Sequence, residues 1–163
     1  MRWILSYRAD PAGVPLADRH YNRQAVGAPQ FVPPGACVVL LTERRSALWV
    51  MSMPLAAFVK HDWPGAWVNT TFRNEHRADR SSELIREALA ATRWIAGDPP
   101  PLGVVTFIDT AQVRHKRDPG RCYRKAGFVE VGRTKAGLLA LQLWPAAWPD
   151  ADPPKGATLR LIA

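Results

Sequence analysis

Cysteine is scarce in this chain. Among 163 residues only Cys37 and Cys122 are cysteines, far apart in sequence. That excludes a disulfide-built scaffold, and both are expected to stay reduced. No Cys-x-x-Cys or His-x-x-x-His spacing occurs, so no clean metal motif is present and the metal requirement stays open. No apolar run approaches the roughly 18–20 residues that span a bilayer. The start, Met-Arg-Trp-Ile-Leu-Ser-Tyr-Arg, is too short in its apolar part for a signal peptide and reads as a first strand. A soluble, cytoplasmic protein with no membrane partner is expected. Acidic residues are also short: 14 Asp and Glu face 22 Lys and Arg, a net charge of +8. Such a balance favours polyanionic partners through long-range attraction and counterion release. Apolar residues, at 47%, are plentiful enough for one packed domain and exclude global disorder.

The pattern along the chain alternates strands and helices. Residues 2–7 read as a strand and 16–24 as a short charged helix carrying Asp18, Arg19, His20, Tyr21 and Arg23. Pro29, Pro33, Pro34 and Gly35 then forbid regular structure. Residues 37–42 and 47–53 form a hairpin about Arg44-Arg45-Ser46. A connection over 54–65 leads to a strand at 67–73. Leu84, Ile85, Ala88, Leu89, Thr92 and Ile95 make one apolar stripe, so 82–96 is the clearest helix. Ser81 or Ser82 caps its start and Gly97 marks its stop. Residues 102–108 are a continuous apolar strand of the centrally buried kind, ending at Asp109. A basic loop, a short helix near 120–126, and a hairpin of 128–131 with 138–143 follow. The Pro-rich tail over 145–163 belongs to the same domain and reads as a surface wrap. No internal repeat or second domain is visible. This order argues for an α/β fold with a mixed, mostly antiparallel sheet and helices on both faces.

Element order and two motifs together resemble the GNAT acyltransferases. Tyr123-Arg-Lys-Ala-Gly-Phe128, followed by Val131-Gly132-Arg133-Thr134, is similar to that family's Tyr-x-x-x-Gly-Phe … Gly segment. The resemblance implies a tyrosine that protonates a departing CoA thiolate; packing of Tyr123 in the core explains the same residue equally well. Arg77-Ala-Asp-Arg80-Ser-Ser82-Glu-Leu84 matches the family's pyrophosphate loop, in which free backbone N–H groups at a helix start face the phosphates. It implicates Arg77, Arg80, Ser81 and Ser82 in binding acetyl-CoA or a related CoA-like donor. Arg80 stands where the family has its first glycine. Its side chain either crowds the pyrophosphate or grips it.

A narrower resemblance covers most of the chain. Asp18-Arg-His-Tyr21, Arg80-Ser-Ser-Glu-Leu-Ile85, Ile108-Asp109 and Gly120-Arg-Cys-Tyr123 follow the order and spacing of the bacteriophage Mom-type DNA modification proteins. The resemblance implies a phage-type enzyme, working in the host bacterial cytoplasm, that alters adenine N6 in double-stranded DNA and shields it from restriction. His20, Tyr21, Asp109 and Tyr123 are the catalytic residues it implies. The adduct of that family is of carbamoylmethyl type, which simple acetyl transfer does not form, so the donor's identity stays open.

The residues themselves add chemistry. Adenine N6 is a weak nucleophile, and an enzyme acting on it must extrude the base and accept a proton. Asp109, at the end of a buried strand, suits a base or an amine-orienting group; capping of its own loop is the plain alternative. Arg114, Lys116, Arg117, Arg121, Arg124 and Lys125 crowd one short stretch beside a single acid, Asp118. A solvated face mixes both signs more evenly, so this patch, extended by Arg19 and Arg23, is expected to contact phosphates. Trp49, Trp63 and Trp67 either stack on a base or fill the core, with the core favoured. Two rival functions remain: a GNAT N-acetyltransferase acting on a small amine or protein N-terminus, and a DNA-binding accessory protein with a decayed donor pocket.

Overall fold

The strand and helix signals resolve into twelve short elements in a computed structural model that describes residues 1–113 and 118–157. In chain order these are β1 (Trp3–Ser6), α1 (Val14–Asp18), β2 (Ala36–Thr42), β3 (Ala47–Met53), a 3-10 turn at Ala56–Phe58, β4 (Trp67–Asn74), α2 (Ser81–Ala96), β5 (Val104–Ile108), α3 (Arg121–Lys125), β6 (Val129–Arg133), β7 (Leu139–Leu143) and a 3-10 turn at Pro145–Ala147. The strands form one sheet in the order β1-β2-β3-β4-β5-β7-β6. Every neighbouring pair is antiparallel except β4 and β5, which run parallel. The mixed, mostly antiparallel α/β sheet is therefore as the sequence suggests. The helices are less evenly shared than expected. Helices α2 and α3 cover one face, packing Leu84, Ile85, Leu89 and Tyr123 against Trp3, Leu40, Trp49 and Leu141. The other face carries only the five-residue α1 and an irregular segment, with Leu16, Phe31 and Val32 on Val39, Leu41 and Val50. Each fully buried Leu or Ile of α2 contributes about 1.5–3 kcal/mol relative to exposure.

Two boundaries differ from the sequence reading for local reasons. The first helix spans 14–18 rather than 16–24. Pro15 sits in its opening turn, where a missing N–H and a fixed φ cost nothing. The Asp18 carboxylate then accepts Arg23 Nε (2.7 Å) and the Gly27 N–H (3.0 Å), which turns the chain back. His20 and Tyr21 thus lie in a turn after the helix, not on it. The second difference concerns α2, whose N-cap is Arg80, with no side-chain cap. Ser81 instead accepts a hydrogen bond from Asn74 Nδ2 (3.1 Å), so neither serine caps the helix.

Trp49 is fully buried and donates to Thr92 Oγ1 (3.2 Å). Trp67 packs edge-on against Trp148 of the tail; both belong to the core, as favoured. The tail wraps the surface: the Asp152 N–H donates to the Ala90 carbonyl (3.2 Å) and the Lys155 N–H to that of Trp3 (2.8 Å). Cys37 and Cys122 are both half-buried. Among the described residues, no helix is long and apolar enough to cross a membrane.

The feature that positions the site is a split in the sheet. Parallel pairing of β4 with β5 covers only Trp67 with Val104 and Val68 with Val105, then stops. Beyond it the Thr106 hydroxyl, a side chain, donates to the Asn69 carbonyl (3.1 Å). On its other side β4 slips register against β3, from Val50–Thr71 to Met51–Asn69. Thr70 is the extra residue of this bulge, and bulges bend the strand that carries them. Helix α3 reaches the split because its N-cap is Gly120, at φ 83°. A methyl there would stand 2.7 Å from Ile108 Cδ1 and 2.8 Å from Leu141 Cδ1, so only glycine allows this approach.

Candidate functional site

Where β4 and β5 part, a cleft of about 520 Å³ opens, lined by Thr70, Phe72 and Arg73 of β4, Thr106, Phe107 and Ile108 of β5, and Tyr123 of α3. In its wall Tyr123 is buried, only 8% exposed. The phenol donates to Asn69 Oδ1 (2.5 Å). Asn69 cannot present its nitrogen there, because Nδ2 already donates to the carbonyls of Val50 (2.9 Å) and Thr71 (3.2 Å). The Tyr123 proton is thus aimed at a fixed acceptor. Burial pushes the phenol well above its usual pKa, so it is protonated throughout the neutral range. Edge-on contacts with Phe72 and Phe128 hold the ring. Tyr123 accordingly satisfies both expectations, core packing and access to a cleft.

The turn after α1 crosses the open end of the split. Tyr21 Oη donates to the Phe107 carbonyl (3.3 Å) and accepts the Asp109 N–H (3.4 Å), standing in for the missing strand partner of β5. Asn22 Nδ2 donates to the Thr70 carbonyl on β4. One short turn therefore satisfies backbone groups on both lips. His20 stacks on Tyr21 with ring centroids 4.5 Å apart, its Nδ1 paired with Asn22 Oδ1 at 2.6 Å. Both rings line the cleft. Burial raises the Tyr21 phenol above its usual pKa as well. His20 and Tyr21 thus share one cleft although they lie in a turn and not on a helix.

Asp109 is placed differently from the expectation that it faces the reacting group. Its Oδ1 accepts the N–H groups of Ala111 (3.0 Å) and Gln112 (3.3 Å), so the carboxylate caps its own turn. Gln112 and Val113, further along that turn, line the cleft, and Asp109 does not. The cause is the short reach of an aspartate, which favours local backbone N–H groups at a strand end.

The basic residues separate into three groups. Arg19 and Arg73 line the cleft and share Glu75: Arg19 grips both its oxygens (2.7 and 2.8 Å) and Arg73 Nε bonds Oε1 (2.6 Å). Hydrogen bonding from Arg19, with help from Arg73, holds the Glu75 carboxyl down to about 2. The trio keeps one net positive charge at the rim. A second group surrounds a neighbouring hollow of about 550 Å³ at the start of α2, where Arg80, Arg121 and Lys125 stand with Ser81, Ser82 and one acid, Asp118. Arg121 and Lys125, expected on a DNA surface, are here neighbours of the expected donor residues. Ser81, Gly120 and Cys122 line both this hollow and the cleft, so the two are contiguous. Arg77 is exposed outside both.

The third group is spent internally. Arg23 has a side chain 8% exposed that binds Asp18 and the carbonyls of Gln30 (2.9 Å) and Ala28 (2.6 Å). It staples the 18–30 turn and offers no donor to DNA, which corrects its expected role. Arg124 pairs with Asp118 (2.7 Å) and Glu130 (3.4 Å), two carboxylates that offset its charge. Arg114, Lys116 and Arg117 lie outside the described residues.

No protein-family model, curated protein or solved structure matches this chain. Its site must be argued from its own geometry. Among the described residues, no group of three His, Cys, Asp or Glu side chains is arranged to hold a metal. Asn69, Arg73, Thr106 and Asn22 were missed from sequence. One signal is visible in the sequence: Asn69-Thr70-Thr71 places three successive polar residues between Trp67-Val68 and Phe72 of one strand.

Proposed function

We propose that the chain is a GNAT-type transferase that places a carbamoylmethyl- or acetamido-type group on adenine N6 in double-stranded DNA, giving protection from restriction. One observation carries this reading. A cleft made by two parting parallel strands, lined by stacked aromatic rings and a protonated buried phenol, shares Ser81, Gly120 and Cys122 with a hollow at a helix N-terminus where Arg80, Arg121 and Lys125 outnumber Asp118. At about 520 Å³ the cleft lies within the range of small-ligand sites, roughly 300–1,000 Å³.

The residues at the hollow fit the phosphates of a CoA-like donor. The first turn of α2 has free N–H groups and the positive end of the helix dipole, with Arg80, Arg121 and Lys125 around it. Glycine is not needed at position 80: φ −69° and ψ 119° suit any residue. Its side chain, 82% exposed and leaning on Glu83, leaves the hollow open and adds a cation at its edge. The donor supplies the transferred group. On the acceptor side, the His20–Tyr21 stack and Phe107 offer faces for an extruded base. His20 is the titratable side chain in the cleft suited to accept the amine proton. Tyr123 is a protonated phenol whose O–H would turn from Asn69 Oδ1 to a departing group. Asp109 acts through position, fixing the turn whose N–H also holds Tyr21.

Nucleoside mass spectrometry of DNA from expressing cells tests the reading. A modified deoxyadenosine is expected. Unaltered adenine beside folded protein, with thiol release from acetyl-CoA on small amines, would replace it with the amine acetyltransferase reading.

A further inference from the structure

The sheet face under α1 holds a further cavity, of about 380 Å³, that the transfer reaction leaves unused. It lies between the irregular segment after α1 and β4 at its bulge. Pro33 and Pro34 restrict the backbone of that segment. Arg23 staples it to Asp18 and to the carbonyls of Ala28 and Gln30, and Phe31 and Val32 pin it to the sheet. The fold itself therefore shapes this hollow.

Its polar groups are left over. Thr71 lines it from the same sheet face as its register partner Val50. The residue is 6% exposed, yet its hydroxyl has no partner among the described residues; Asn69 Nδ2 bonds its carbonyl instead. Thr70 lines both this hollow and the cleft, and its Oγ1 is buried without a partner. Buried hydroxyls are seldom left so. Among the described residues the Gln30 amide makes no side-chain hydrogen bond either, and Gln24 uses only Nε2, on the Asn22 carbonyl (3.3 Å). Charge is missing: Arg23 is the one ionic side chain in the lining, and Asp18 and two carbonyls already hold it. Phe31, Val32, Pro33 and Pro34 make the wall apolar.

We propose that this hollow binds a nucleobase. A ligand here must be uncharged, since no free charge waits to pair with an ion. It must offer donors and acceptors together, because amides and hydroxyls do both, and an apolar face for Phe31 and the prolines. A purely apolar ligand would leave the hydroxyls unpaired, and a sugar would set its own hydroxyls against the apolar wall. A flat ring with a mixed polar edge meets all three demands, and the volume lies within the range of small-ligand sites, roughly 300–1,000 Å³. The base belongs either to a free nucleoside or to a strand whose neighbouring base enters the cleft, the second source resting on the DNA reading above. Asn22 links the two cavities: it lines this hollow, while its side chain bonds the Thr70 carbonyl and His20 Nδ1.

The test uses the full chain, with adenosine, guanosine, cytidine and uridine followed by calorimetry and a short mixed-sequence single strand followed by anisotropy. Gln30→Ala and Thr71→Val remove polar groups that line this hollow and not the cleft. Thr71→Val keeps the side chain's shape and should melt no lower than the wild type, since its hydroxyl has no partner to lose. At least one nucleoside should bind the wild type, and each variant should weaken it about tenfold, the effect of one hydrogen bond. If the nucleosides are silent and both variants lose about tenfold on the strand, but nothing on an abasic strand, the base is one of DNA's. Affinities for nucleosides and strand that are equal in the wild type and both variants would overturn the site, as would absence of binding to either probe. Unaltered adenine in expressing cells, beside nucleoside binding that the variants weaken, would remove the transferase reading and leave this site standing.

Discussion

Tyr123 shows how one side chain serves two ends. Its ring completes the core between Phe72 and Phe128, while its hydroxyl closes a buried hydrogen bond to Asn69. Tyr123→Phe leaves Asn69 Oδ1 without its donor, so unfolding in urea should show a loss of about 1–3 kcal/mol. Loss of a proton donor from a transfer reaction is larger, and adenine modification in cells should fall about 100-fold or more. Product unchanged beside the stability loss would make Tyr123 a packing residue alone. Asp109 is distinguished by a gentler substitution. Asn keeps the oxygen that accepts the Ala111 and Gln112 N–H groups but cannot serve as a base. Asp109→Asn is therefore expected to retain modification within about threefold, since only the turn matters. A collapse of product in a folded Asp109→Asn protein would restore the carboxylate to the chemistry.

At the level of elements, α2 and α3 make the second hollow by converging at their N-terminal ends. Arg121, on the first residue of α3, is the part of this arrangement that can be removed without touching α2. Titration of the protein with coenzyme A should show about tenfold weaker binding for Arg121→Ala, the effect of one lost charge-assisted hydrogen bond. Unchanged affinity for both Arg121→Ala and Arg80→Ala would move the donor elsewhere. The same elements show what a sequence can reveal. The apolar stripe of α2, the central β5 and both hairpins were legible because burial imposes a period on the residues. Helix α1 was not, since its end is set by Asp18 catching Arg23 and Gly27, contacts that depend on a fold of the following turn. Arg23 looked like a DNA contact for the same reason: charge is visible in sequence, and its burial is not. The cleft itself was legible only in outline. Tyr123 and the His20–Tyr21 pair were singled out, but Asn69 and Thr106 matter through the parting of two strands, a relation between distant segments.

On the scale of the whole molecule, charge and shape act together. The net charge is +8, and the Arg19–Glu75–Arg73 trio places part of it at the cleft, as the proposed DNA substrate requires. Affinity for duplex DNA should fall with salt along a log–log line, and Arg19→Ala should flatten its slope by about 1 unit, one phosphate contact fewer. Binding indifferent to salt would sink the electrostatic account. The sheet, continuous on paper, has two parts, β1 to β4 and β5 to β7, each laced by antiparallel ladders with one register shift and paired to each other along the backbone only at Trp67–Val104 and Val68–Val105. Beyond those rungs the lips are held by side chains, Thr106 and Tyr123 on Asn69 and the Tyr21–Asn22 turn on Phe107 and Thr70. A guest bridging the lips should therefore slow amide exchange at Val68 and Val105 while leaving β2 and β7 as they were.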